Sequence, residues 1–410
     1  MRIAYITPYQ GPTVLDKRPI VKNRSMSNRM KIELIARLLH ENGHEVDLLS
    51  HGEVIENSFR FYPGFWEPRL FHPEIPVYYL SSLTVKRLNG FWAAIRAVQF
   101  LKKRHRVRPY DLVIIFNLKR PQISCARYAY RNGIPIIFEY EDDAFVDVTG
   151  NETSGLASRW LDYAYKRTIA CSSGCMAVSP HLLAQLPKGI PTLLLRGVVG
   201  DDVSAADHQT KLTDRKNWVV FAGTHIEENG VKELITGWDV AELPGWELHI
   251  TGSGGMTEEL REMASSNPSI TFHGLVKREE LVSLLNSAMI CINPHAVSQT
   301  PGNVFAFKII EYLAAGAHVI TTPMGALEDD IEHGITYMQD NKPQTIAATL
   351  QEVIRNRAYG RTAADAASQR YGMEAVSKSL EGLIDEVMAF QKTRGANPAA
   401  TCLKTVNSGV

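Results

Sequence analysis

Residues 2–50 constrain the fold more than any other part of the chain. "RIAYITP" is a short apolar strand, followed by the polar loop "YQGPTVLDKRPIVKNRS". "SNRMKIELIARLLHENGHEVDLLS" then places Met30, Leu34, Ile35, Leu38 and Leu39 at helical spacing. Ser27 or Asn28 can cap this helix, Gly43 can end it, and "EVDLLS" is a second strand. A strand–helix–strand crossover forces parallel pairing, and parallel sheets bind ligands at the carboxyl ends of their strands.

The alternation continues through "YDLVIIFN", "IPIIFEYEDD" and "SSGCMAVS". It restarts at "NWVVFAG" and runs through "WELHITGSGG", "SITFHG", "AMICINP" and "AHVITTP". Two series of βα units predict an α/β chain with two doubly wound domains. We place the first at 1–196 and the second at 218–370, joined by a polar linker at 197–217. A helix at 371–392 is expected to pack back on the first domain, and the polar tail 393–410 is expected to be flexible.

The length of 410 residues agrees with two domains. Lys+Arg and Asp+Glu both number 44, so net charge favours no polyanionic partner, and no nucleic acid is expected. No apolar run approaches the ~18 residues of a membrane span. The start, "MRIAYITPYQG", reads as a strand rather than a signal peptide. Five cysteines, mostly in apolar segments, point to a reduced, cytoplasmic protein. Cys171 and Cys175 have the spacing of metal ligands but no second pair, and buried small residues are the plainer reading.

Three stretches carry chemistry. "FKIIEYLAAGAHVITTP" (307–323) reads as a helix from about Phe307 to Ala315, stopped by Gly316 and followed by a strand. Lys308 and Glu311 lie one turn apart on one face. A carboxylate can accept two ribose hydroxyls and an ammonium suits a phosphate. Gly302, just before the helix, would let backbone approach a ligand. The plainer alternative is an i,i+3 ion pair on a helix surface.

In "IPIIFEYEDDAF", Glu139, Glu141, Asp142 and Asp143 crowd the end of a predicted strand. One pKa should rise there unless a cation or hydroxyls intervene. A general base, a divalent-metal cluster and a solvated turn are all open at this point.

The third stretch, 75–110, holds no Asp or Glu but eight Lys/Arg. Phe91, Ala94, Ile95, Val98 and Leu101 form a helical apolar stripe with Trp92 beside it. Such a helix can dock on an anionic membrane surface through Lys102, Lys103 and Arg104, or simply pack on the core.

"KIIEYLAAGAHVITTP" resembles the donor-site signature of the retaining GT-B glycosyltransferases related to family 4, in the branch reading Lys-x-x-Glu-Tyr-x-Ala-x-Gly-x-Pro-Val-Ile. The resemblance is strong at 305–323 and architectural over most of 1–390. It implies a GT-B fold, two Rossmann-like domains facing a cleft, with the donor held mainly by the second and the acceptor by the first. It assigns Glu311 to the nucleotide ribose. The family's first glutamate, which contacts the donor sugar, falls on Asn303, with Gly302, Val304 and Phe305 around it. Gly223 and the "TGSGG" turn at Gly252 would line the donor site. The two cations that the family commonly places on the diphosphate fall on Thr224 and Asn229, leaving Lys308, Lys232, Arg196 or helix N–H groups to supply the charge.

At the acidic strand end, Glu139 and Asp142 match the family's Glu-x-Arg-Asp position and Glu141 replaces its arginine. The resemblance thus implies catalytic or acceptor-orienting roles for Asp142, Glu141 and Glu139, without metal. It implies no bound cofactor, a nucleoside diphosphate sugar as co-substrate, and a sugar or lipid-linked saccharide as acceptor. The expected place is the cytoplasm or the inner face of a membrane. A GT-B sugar-nucleotide epimerase and a catalytically silent GT-B subunit are the alternatives.

Overall fold

The computed structural model describes residues 1–18, 26–51, 59–68, 71–85, 88–141, 156–204, 212–297, 305–323, 331, 333–360 and 363–394. These residues form two units. The first comprises those up to 198 together with 376–394, and the second those from 199 to 375.

The strands of the first unit are β1 (Arg2–Thr7), β2 (Glu45–Ser50), β3 (Phe61–Tyr62), β4 (Phe65–Glu67), β5 (Val77–Tyr79), β6 (Ser82–Leu83), β7 (Leu112–Phe116), β8 (Ile136–Tyr140), β9 (Gly174–Ala177) and β10 (Thr192–Leu194). Eight of them make one sheet in the order β10-β9-β8-β7-β1-β2-β5-β4, parallel except for the edge pair β4–β5. β3 and β6 form a separate antiparallel pair. The helices are α1 (Val14–Lys17), α2 (Met26–Glu41), α3 (Asn89–Val107), α4 (Arg120–Arg131), α5 (Leu156–Ala170) and α6 (Pro180–Ala184).

β1, β7 and β8 are buried throughout, as strands of a covered parallel sheet must be, and the few polar groups in β1 and β8, Arg2, Thr7 and Glu139, are buried with them. α2 starts at Met26 and closes at Gly43, whose φ of 81° is the left-handed conformation glycine adopts freely.

The second unit has α7 (Asp201–Ser204), β11 (Lys216–Ala222), α8 (Val231–Ala241), β12 (Glu247–Thr251), α9 (Thr257–Ala264), β13 (Ile270–Gly274), α10 (Arg278–Ser287), β14 (Ala288–Asn293), α11 (Lys308–Ala314), β15 (His318–Thr321), β16 (Ile335–Tyr337), α12 (Pro343–Arg355) and α13 (Ala364–Tyr371). Its six strands are all parallel, in the order β13-β12-β11-β14-β15-β16. This is the doubly wound order, which reverses between β11 and β14; in the first sheet the reversal lies between β1 and β7. α14 (Met373–Arg394) follows. Its Glu381 meets His44 at 2.9 Å and its Ser377 donates to Asn42.

Two details differ from the sequence reading. The second unit already starts at Val199, α7 falls inside the stretch read as linker, and β11 begins within its last two residues. The inward stripe of α3 is Ala93, Ala97 and Leu101, while Phe91 and Ile95 face out. α3 packs against α4, and small residues allow the two helices to approach closely.

Candidate functional site

The reversal point of the second sheet gathers the charged groups of the 307–323 motif. α11 is buried along Ile309–Ala314 and stops at Gly316, whose N–H donates to Leu313 O. Tyr312 fixes the helix to the end of β11. Its hydroxyl accepts from the Ala222 N–H at 2.8 Å and donates to the Ala222 carbonyl at 3.1 Å. This pins Lys308, at the first turn, beside Gly223. A Cβ on Gly223 would come within 2.7 Å of Lys308 Nζ, so any larger residue there would push the ammonium aside. Gly252, with φ of 124°, lets the next loop lie against the Gly223 carbonyl.

Lys308 Nζ is buried and has no hydrogen-bond partner among the described residues. It lies 4.6 Å from the centre of the Phe221 ring. Burial pushes the ammonium down to about 8. His295, just beyond β14, is lowered first by burial and further by the charge on Lys308, so the ammonium lies near the ends of both β11 and β14.

Glu311 is also buried, and it does not pair with Lys308. Its Oε1 meets Arg278 Nη1 at 2.8 Å, and Arg278 Nε donates to Asp202 at 2.6 Å. Burial raises the Glu311 carboxyl and Arg278 partly offsets this. The helix-surface ion pair is thereby excluded: both charges face inward, one neutralised by an arginine and the other not.

Thr224 is exposed, and Asn229 holds the loop by donating to the Thr224 carbonyl at 2.7 Å. Lys232 is engaged by Glu259 at 2.8 Å, so it is no spare cation. Arg196 belongs to the first unit and is buried. Phe305 is buried as well, whereas Gly302, Asn303 and Val304 lie outside the described residues.

At the end of β8 in the first unit, Glu139 has no exposed surface. It accepts from the Tyr5 hydroxyl at 2.5 Å and faces Lys31 Nζ at 3.7 Å. Lys31 also donates to Glu141 and to the Leu195 carbonyl. Burial raises the Glu139 carboxyl against the opposing pull of Lys31 and Tyr5. A cation and a hydroxyl thus both intervene at this strand end, and Glu139 has no exposed surface. Asn117 ties the same strand end together, its side chain accepting from the Glu141 N–H at 2.8 Å. Asp142 and Asp143 lie outside the described residues. Among the described residues no group of three or more His, Cys, Asp or Glu is placed to hold a metal ion, and Cys171 and Cys175 are buried and not in disulfides.

In the basic segment, Arg104 is not available to a membrane. It pairs with buried Asp47 at 2.8 Å, alongside Arg2 and Tyr110. Lys102 and Lys103 are exposed, and Trp92 is half-buried. No helix among the described residues is long and apolar enough to cross a membrane.

Sequence reasoning missed Lys31, Arg278 and Asp202. Lys31 had a signal, since it is in register with Ile35 and Leu38 on the apolar stripe of α2. Arg278 also had one, because a cation opening a helix opposes the helix dipole and implies a partner elsewhere.

A family model described as "Glycosyl transferases group 1" matches residues 216–356, and one described as "Glycosyl transferase 4-like domain" matches 30–191. No curated protein sequence matches the chain significantly. Among solved structures, sucrose-phosphate synthase from Thermosynechococcus elongatus is similar with a TM-score of 0.69 and 17% identity, over 95% of this chain and 99% of that one. Anabaena HepE in complex with UDP gives 0.64 and 14%, over 94% and 100%. The catalytic domain of starch synthase IV from Arabidopsis thaliana, bound to ADP and acarbose, gives 0.64 and 11%, over 95% and 99%. Two doubly wound parallel sheets, each matched by a glycosyltransferase domain and together aligning with whole GT-B structures, show that the chain belongs to the group 1 glycosyltransferases.

Proposed function

We propose that the chain moves a sugar from a nucleoside diphosphate sugar to a hydroxyl acceptor with retention of configuration. The observation that carries this reading is the buried, unpartnered ammonium of Lys308 beside Gly223, one helical turn from Glu311. A charge buried without a counter-ion is costly, and an anionic ligand would remove the cost. The diphosphate would take Lys308. The ribose hydroxyls would donate to Glu311, whose carboxylate Arg278 holds in place. Anabaena HepE binds UDP and starch synthase IV binds ADP, ligands of this chemical class.

In the proposed reaction the acceptor oxygen bonds to the anomeric carbon on the face that the diphosphate leaves. The bond from that carbon to the diphosphate oxygen breaks, and the acceptor proton passes to the departing diphosphate. Thr224 and Asn229 bring no charge, so stabilisation of the leaving group falls on Lys308. Asp142 and Glu141 are proposed for the acceptor side, with Glu139 and Lys31 positioning them. The acceptor is proposed to be a saccharide of cell-surface polysaccharide or glycoconjugate assembly, carried on lipid at the inner face of a membrane.

The test is a melting-temperature screen with nucleotides and sugar nucleotides, followed by proton NMR of the product formed from the stabilising donor. A product with the donor's anomeric configuration supports the reading. Inversion overturns retention. Interconversion of sugar nucleotides without acceptor would make the protein an epimerase. Stabilisation by no nucleotide would remove the donor site altogether.

A further inference from the structure

Around the start of α3 the first unit exposes a group of large apolar side chains. Phe61, Leu88, Phe91 and Ile95 are each more than half exposed, and Phe59 is 76% exposed. Trp92 joins them, edge-on to Phe61 at 6.0 Å between ring centres. These are not loose ends. Trp92 donates to Ser81 at 3.2 Å, the Arg120 guanidinium lies over Phe91 at 4.3 Å, and Phe61 is held in β3 opposite Leu83. A held, contiguous apolar patch marks a contact surface.

The charge beside it says which kind. At ~100° per residue, Leu88, Phe91 and Ile95 share one face of α3 with Lys102 and Arg106, opposite the buried Ala93, Ala97 and Leu101. The outward face is therefore apolar in its first half and cationic in its second. Of the eight Lys/Arg in 75–110, Arg104 and Arg108 are neutralised by Asp47 and Glu45. Lys102, Lys103 and Arg106 are exposed and form no ion pair among the described residues.

We propose that this face docks on an anionic lipid bilayer, with Phe61, Phe91 and Ile95 entering the headgroup layer and Lys102, Lys103 and Arg106 lying over its phosphates. An acidic protein would complement the cations, but a flat basic face led by exposed aromatic rings fits the depth profile of a bilayer surface better. The proposal deepens the reading of a lipid-borne acceptor. Its test uses no donor or acceptor, so its failure would leave sugar transfer standing.

The experiment is flotation of the full chain with vesicles of phosphatidylcholine alone and with ~30% phosphatidylglycerol, over a salt series. Binding is expected on the anionic vesicles and is expected to weaken as salt rises. Replacing Lys102, Lys103 and Arg106 together by Gln should lower partitioning roughly a hundredfold, at about fivefold per cation. Phe91→Ser with Ile95→Ser should lower it at least tenfold at every salt concentration, with only a small drop in melting temperature because both side chains are more than half exposed. Equal binding to neutral and anionic vesicles, or binding to neither, overturns the proposal. A concentration-dependent dimer abolished by Phe91→Ser with Ile95→Ser, without vesicle binding, would assign the face to a second copy and also overturn it.

Discussion

Each of the two parallel sheets buries a lysine near the carboxyl ends of its strands, and the two lysines are treated in opposite ways. Lys31 lies between Glu139, Glu141 and the Leu195 carbonyl. Lys308 Nζ has no hydrogen-bond partner among the described residues and lies beside Gly223 and the Phe221 ring. A buried cation that the protein has already neutralised is part of the scaffold. A buried cation left uncompensated destabilises the fold until something anionic arrives. The contrast separates a structural charge from a ligand-binding one without reference to any relative.

The comparison is most open to attack at Lys31. Lys31→Met leaves two carboxylates buried together without their cation. It should destabilise the protein by about 3–5 kcal/mol, read as a lower urea midpoint at unchanged slope. If the midpoint stays put, the network is not holding the strand ends together. Lys308→Met should do the reverse. It removes an unpaired buried charge, so stability should hold or rise. Affinity for a nucleoside diphosphate should fall by roughly 1.5–3 kcal/mol, about tenfold to a hundredfold, with the bare nucleoside nearly unaffected. Calorimetric titration of both ligands checks this, and equal losses for both would place Lys308 away from the phosphates.

The parts of this contrast differed in how far they could be read from the sequence. The strands β1, β7, β8, β11 and β14 were legible because each carries a predominantly apolar run between turn residues. α11 was legible from its helix formers and its glycine stop. The pair Lys308 and Glu311 was visible too, but the partner of Glu311 was not. Arg278 is separated from Glu311 by the rest of α10, by β14 and by the chain leading to α11, and only the folded chain joins them. Short antiparallel pieces such as β3 and β6 carry too few residues to show a period. On α3 the sequence left open which face turns inward, because the large apolar residues suit either core or surface, whereas Ala93, Ala97 and Leu101 are the buried ones.

The pH dependence sharpens the contrast further. An unfolded lysine titrates near 10.5, and burial lowers Lys308 to about 8 in the folded, unliganded protein. Between these values the unfolded chain binds more protons, so the stability of the unliganded protein should rise with pH across that window and be level below it. Binding should move the other way. The phosphates need the ammonium, so diphosphate affinity should fall by up to about tenfold per pH unit above 8, or about 1.4 kcal/mol. Both trends should flatten in Lys308→Met. Titrations at pH 7.5 and 9 on parent and variant are sufficient, and a parent affinity that ignores pH would mean the lysine does not face the diphosphate.

The smallest effect concerns the group that holds Glu311. Arg278 uses two different edges of its guanidinium, Nε toward Asp202 and Nη1 toward Glu311. Lysine offers a single point of charge and cannot serve both partners at once. Arg278→Lys should therefore keep the net charge yet leave Glu311 less firmly placed. The ribose grip should weaken by roughly 1 kcal/mol, about fivefold. Because the loss sits on the ribose, nucleoside and nucleoside diphosphate should lose affinity by the same factor, and the ratio of the two affinities should stay at the parent's value. That ratio distinguishes a positioning role from a general loosening of the unit, which would disturb Lys308 as well. A changed ratio would show that Arg278 acts on the phosphate side, and no loss for either ligand would show that Glu311 needs no support.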